Sequence, residues 1–114
     1  MSPTILLLER NVAVQELIDQ ALRESGYHVL STRNSLEALE FARRVRIDIV
    51  VAGDVLDVRT EDVVDELRSI QPSLRVVDVT GRAHEPEQRN GSRLAPPFSL
   101  DDLIELLAAG ADGA

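Results

Sequence analysis

Carboxylates gather around one short apolar run. Asp48 precedes Ile49-Val50-Val51-Ala52, and Gly53, Asp54 and Asp57 follow it. An aspartate ending a buried strand can accept an activated group as a nucleophile. Alternatively, it can help to hold a hard cation, which favours clustered carboxylate oxygens. Glu9 ends a second apolar run, so Glu9, Asp54 and Asp57 form the candidate oxygen-ligand set, with Glu9 and Asp54 its core. Arg10 sets a guanidinium beside Glu9 and argues against a metal there. Thr80 closes a fourth-strand pattern and offers a hydroxyl to an anionic oxygen.

Other chemistries find little support. His28 lies in a strand pattern and His84 in a polar stretch, too far apart for a histidine metal site or catalytic pair. Ser35 and Ser99 read as helix caps, and no Gly-x-Ser-x-Gly elbow occurs. No dinucleotide fingerprint or P-loop is present. The turn Glu9-Arg10-Asn11-Val12-Ala13-Val14 lacks the Ser, Thr or Gly cradle that a flavin phosphate needs, and Glu9 would repel one. No cofactor is expected.

The elements that must position the carboxylates follow from periodicity. Thr4 to Leu8 reads as a buried strand. Asn11 caps a helix with Val14, Leu17, Ile18, Ala21 and Leu22 at helical spacing, and Gly26 closes it. Residues 27–32 form a second strand; Asn34 with Glu37 makes a capping box for a helix facing inward through Leu36, Leu39, Ala42 and Val45. After the Ile49 strand, Thr60 or Glu61 opens a helix with Val63, Val64, Leu67 and Ile70 inward, stopped by Pro72. Residues 75–80 are the fourth strand. Residues 82–93 hold one alanine as their sole apolar residue and read as a mobile loop or a turn or two. Leu94-Ala95 is the stub of a fifth strand. Ser99 caps a last helix carrying Leu100, Leu103, Ile104, Leu106 and Leu107, and residues 108–114 read as a frayed tail. Strands alternating with helices imply a parallel sheet in a single three-layer α/β sandwich, residues 1–114, in the order 2-1-3-4-5.

Composition narrows the function classes. The chain has 114 residues, 44% hydrophobic but only 3% aromatic, so its core is aliphatic. A net charge of −8 disfavours nucleic acid as a partner. Cysteine is absent, which removes disulfides and thiolate chemistry and fits a cytoplasmic setting. No apolar run approaches the roughly 20 residues of a membrane span. All 12 basic residues are arginine.

The order of elements and several local signatures resemble the receiver domains of two-component response regulators, over about residues 4–108. They are Ile5-Leu6-Leu7-Leu8 before a polar turn, Glu24-Ser25-Gly26-Tyr27-His28-Val29, Ser35-Leu36-Glu37-Ala38-Leu39, Asp48-Ile49-Val50-Val51, Val79-Thr80-Gly81 and Pro97-Phe98-Ser99-Leu100-Asp101-Asp102-Leu103. The resemblance implies a flavodoxin-like sheet and a phosphoryl-transfer site. An acidic pair after the first strand holds Mg²⁺, an acceptor aspartate ends the third strand, a Thr or Ser ends the fourth, and a lysine precedes a proline after the fifth.

This chain departs from that set. The acidic pair becomes Glu9-Arg10, the acceptor position falls on Gly53 with Asp54 one residue late, and the lysine position falls on Pro96. The family's aromatic switch position corresponds to Arg93, and only Thr80 is retained. The resemblance also implies a cis bond before Pro97 and a fourth helix shortened or lost within residues 82–93. Uncovering the fourth and fifth strands there would leave an edge that, with the last helix, takes a protein partner or a second copy. Arg10 is expected to pair with Glu9, Asp54 or Asp57. The sequence therefore reads as a degenerate receiver-like signalling module that works by protein–protein interaction and not as an enzyme. The alternative is an active receiver phosphorylated on Asp54 by a histidine kinase, with Mg²⁺.

Overall fold

The computed structural model describes residues 2–80, 91–94 and 99–113. Alternating runs give β1 (Thr4–Leu8), α1 (Val12–Glu24), β2 (His28–Thr32), α2 (Ser35–Arg44), β3 (Ile49–Ala52), α3 (Thr60–Ile70), β4 (Arg75–Asp78), β5 (Gly91–Arg93) and α4 (Leu100–Gly113). The strands form one parallel sheet in the order β2-β1-β3-β4-β5. That is the expected order, and β1 and β3 lie at its centre.

Strand alternation divides the core in two. Leu6, Leu8, Val50, Ala52 and Val76 face α2 and α3, where Ala38, Leu39, Ala42, Val63, Val64 and Leu67 meet them. Ile5, Leu7, Ile49, Val51, Val77 and Val79 face the other way, against Ile18 and Leu22 of α1 and Leu103 and Leu107 of α4. β1 and β3 are apolar on both faces because helices cover both. Each fully buried leucine stabilises the fold by about 1.5–3 kcal/mol through lost apolar exposure.

Caps set the helix boundaries. The Asn11 side chain accepts from Val14 N and that of Asn34 from Glu37 N. Gly26, at φ 97°, turns the chain out of α1 in a left-handed conformation that a side chain would strain. At the opposite end of the sheet from the candidate site, Gln71 fastens α3 to the end of α2. Its amide donates to the carbonyls of Ala42 and Val45, both at 2.7 Å, and its Oε1 accepts from Ile47 N at 2.8 Å. Arg75, at the start of β4, donates to the carbonyls of Leu106 and Leu107 and so holds α4 against the sheet. Burial of this guanidinium lowers its pKa from the ordinary value.

Three expectations need correction. Val14 and Leu17 of α1, and Leu36 and Val45 at the two ends of α2, are exposed, because the sheet meets a narrower stripe of each helix than the apolar spacing suggests. The fifth strand is Gly91–Arg93, three residues ahead of the expected stub, paired Val76↔Gly91, Val77↔Ser92 and Asp78↔Arg93. Leu94 extends this ladder only through its N–H, which donates to Asp78 O at 2.8 Å. The last helix, α4, spans Leu100–Gly113. Residues 82–90, with the shortened or lost fourth helix, and the Pro96 and Pro97 positions lie outside the described residues.

Candidate functional site

The carboxyl ends of β1, β3 and β4 bring together the loops that carry Glu9, Asp54 and Thr80. Parallel pairing fixes their relation: Leu8 stands beside Ala52, and Ala52 beside Asp78. Gly53 follows with its N–H donating to Leu8 O at 2.9 Å, and Val79 N donates to Ala52 O at 3.1 Å. The chain ends thus stay in register one residue past each strand.

The space over Gly53 is closed. A Cβ placed there would lie 2.7 Å from Leu8 O and 2.8 Å from Glu9 Oε1, closer than real Cβ atoms come to any neighbour. Leu8 O belongs to the central strand, whose side chain at this point is wholly buried, so it cannot give way as a flexible side chain would. Glu9 is held as well: its Oε2 accepts from Asn11 N at 2.9 Å, and its own carbonyl accepts from the Gln15 amide at 3.2 Å. Glycine is the residue that fits this approach of two strand ends.

The other carboxylates go to separate partners. Asp54 is half-buried and leans toward the first turn of α3, where the Thr60 hydroxyl lies 3.4 Å from its Oδ1. That hydroxyl donates at 2.9 Å to Gly53 O, which fixes the backbone of the turn between the strand end and α3. Asp57 reaches the start of α2, accepting from Ser35 Oγ at 2.6 Å and Ser35 N at 3.1 Å. The Ser35 hydroxyl, then its N–H, hold the Asp57 carboxyl below the usual carboxylate range. An anion at this helix end also meets the favourable pole of the helix dipole.

Thr80 turns back on its own strand. Its N–H and hydroxyl both donate to Asp78 Oδ1, at 2.8 and 2.7 Å. Asp78 is a buried carboxylate outside the candidate set drawn from the sequence. Its signal was available, as the acidic residue that interrupts the apolar run Val76-Val77-Asp78-Val79. Arg93 stands beside Asp78 in strand register.

Arg10 does not make the expected ion pair. Its side chain is exposed, and among the described residues no ion pair includes it. Glu9 and Asp57 have spent their carboxylates on backbone and hydroxyl donors instead.

A bound Mg²⁺ does not fit these residues. Glu9 is the one carboxylate at the β1 end, the adjacent position is a guanidinium, and the β3 end is a glycine without room for a side chain. Among the described residues, no three His, Asp or Glu side chains converge as a cation site.

No protein-family model matches the chain. Its sequence is 28% identical over 113 residues to a probable transcriptional regulatory protein, TcrX, of Mycobacterium tuberculosis, covering 93% of this chain and 48% of that protein. It is 28% identical over 121 residues to the polar-differentiation response regulator DivK of Brucella anthropi, covering 94% of each. The fold superposes on a CheY-like receiver domain from Methanospirillum hungatei with a TM-score of 0.87 at 17% identity, over 99% of this chain and 96% of that one. The chain is a response-regulator receiver domain. It spans about half the length of TcrX and nearly all of DivK. Among the described residues, no helix of this receiver is long and apolar enough to cross a membrane.

Proposed function

We propose that this receiver is a degenerate signalling module that works through protein–protein contact, without Mg²⁺-dependent phosphorylation and without enzymatic activity of its own. The observation that carries the reading is the closed space at Gly53. The strand-end position corresponding to the acceptor has no side chain and admits none without moving Leu8 O.

Charge supports the same reading. Phosphoryl transfer to a carboxylate depends on neutralising several negative oxygens at once. Here no lysine exists in the chain, Pro96 stands at the lysine position, and the Thr80 hydroxyl is engaged by Asp78. Partner binding would then set the module's state, in a cytoplasmic setting. The edge formed by β4 and β5 with α4 is the surface we assign to a protein partner or to self-association. The competing reading, an active receiver phosphorylated on Asp54, would need that side chain to leave the first turn of α3.

Amide NMR spectra of the ¹⁵N-labelled protein, with Mg²⁺ and then beryllofluoride, test the proposal. Unchanged resonances for Gly53, Asp54 and Thr80 are expected. Saturable shifts at these three, abolished in Asp54→Asn, would instead establish the active-receiver reading.

A further inference from the structure

One corner of the molecule carries a small basic and apolar patch on an otherwise acidic chain. Among the described residues, Arg23, Arg43, Arg44, Arg46 and Arg59 pair with carboxylates, and Arg75 is held by helix carbonyls. Arg10 and Arg33 differ. Both are exposed, and neither guanidinium meets a carboxylate among the described residues. They are neighbours, because Arg33 Nε donates to Arg10 O at 2.8 Å.

Two of the acids in the neighbouring loops are engaged by hydrogen bonds. Asp57 accepts from Ser35, and Glu9 from the Asn11 N–H. Those same bonds build the corner. Leu56 N donates to Arg33 O at 2.9 Å, and with the Asp57–Ser35 contacts this lays the loop after β3 against the start of α2. Three aliphatic side chains are left in water around it: Leu36 at 73% exposure, Leu56 at 56% and Val58 at 42%.

We infer that Arg10, Arg33, Leu36, Leu56 and Val58 form a docking corner for a short acidic segment of another protein, one that sets carboxylates around an aliphatic anchor. Charge complementarity argues for an acidic occupant: two guanidinium groups without carboxylate partners among the described residues stand on a chain of net charge −8. Arginine suits the role, since its planar fork grips a carboxylate in two places and is weakly hydrated. Size argues for a short segment. Five side chains fall well below the roughly 800 Å² per partner of a stable protein interface, and a second copy would bring a further −8 against this one. The corner owes nothing to the state of the acceptor position, so the inference stands whichever reading of that position holds.

The test is an NMR titration of the full ¹⁵N-labelled chain with a blocked octapeptide of alternating glutamate and leucine, and with its lysine-for-glutamate counterpart. Saturable shifts are expected on Arg10, Arg33, Leu36, Leu56 and Val58 with the acidic peptide only, weakening as salt is raised. Affinity should fall about tenfold or more, roughly 1.4 kcal/mol, in an Arg10→Glu, Arg33→Glu variant. Leu36→Ser, which alters an exposed side chain, should weaken binding while leaving the melting temperature unchanged. Equal response to the two peptides, shifts centred on another face, or undiminished binding by both variants would overturn the inference. Occupation of the corner by a second copy, detected as self-association that the arginine variant abolishes, would overturn it too.

Discussion

Gly53→Ala is the substitution whose outcome the structure fixes most tightly. The new methyl carbon would stand 2.7 Å from Leu8 O and 2.8 Å from Glu9 Oε1. The Glu9 carboxylate can swing away at the loss of its bond from Asn11 N, but Leu8 O sits on a central strand paired on both sides. Relief must therefore come from prising the β3 end from β1, which stretches the 2.9 Å bond between Gly53 N and Leu8 O. Forcing a methyl group into a packed site costs about 1–3 kcal/mol. The left-handed conformation is found at Gly26 and not at Gly53, so alanine meets no backbone strain there and returns roughly 0.4–1 kcal/mol by restricting the unfolded chain. The net loss is on the order of 1–2 kcal/mol. At roughly 4–8 °C per kcal/mol for a domain near this size, the midpoint should fall by on the order of 10 °C. Thermal unfolding followed by circular dichroism at neutral pH measures it. Combining Gly53→Ala with Glu9→Ala should recover little, since Leu8 O remains. A variant as stable as the parent, or more stable, would refute the reasoning, because the β3 end would then have room for a side chain.

Asp57→Asn should remove part of the acid sensitivity of folding. The folded carboxyl is held below its ordinary value by Ser35, so its contribution is present above the unfolded value near about 4 and is lost as pH falls below it. Chemical denaturation at a series of pH values should show parent and variant converging in acid, and a gap that stays constant with pH would contradict the assignment. Gln71→Ala leaves the Ile47 N–H and the Ala42 and Val45 carbonyls without their partner and should cost about 1–3 kcal/mol, read as a lower urea midpoint at unchanged slope.

Much of this was legible in the sequence because the strands are short apolar runs and the caps are specific. Asn11, Asn34 and Gly26 stand at the helix ends where their chemistry put them, and the parallel order follows from alternating elements. Helix faces are less legible. Spacing groups Val14 and Leu17 with Ile18 and Leu22, but only the sheet decides how wide a stripe it covers. Gly91-Ser92-Arg93 has no strand propensity to read, and its strand exists through pairing to β4. At the candidate site the residue types were visible but not their partners. Arg10 beside three carboxylates suggested an ion pair, yet backbone N–H groups and a serine hydroxyl took Glu9 and Asp57 first. Charge–dipole contacts of that kind depend on where a helix begins in space, which residue spacing alone does not encode.

A receiver built this way should be unable to carry an acyl-phosphate at all. Intact-mass spectrometry after incubation with acetyl phosphate and Mg²⁺ addresses it directly. The account predicts a protein of unchanged mass; the gain of one phosphoryl group, absent from Asp54→Asn, would contradict it.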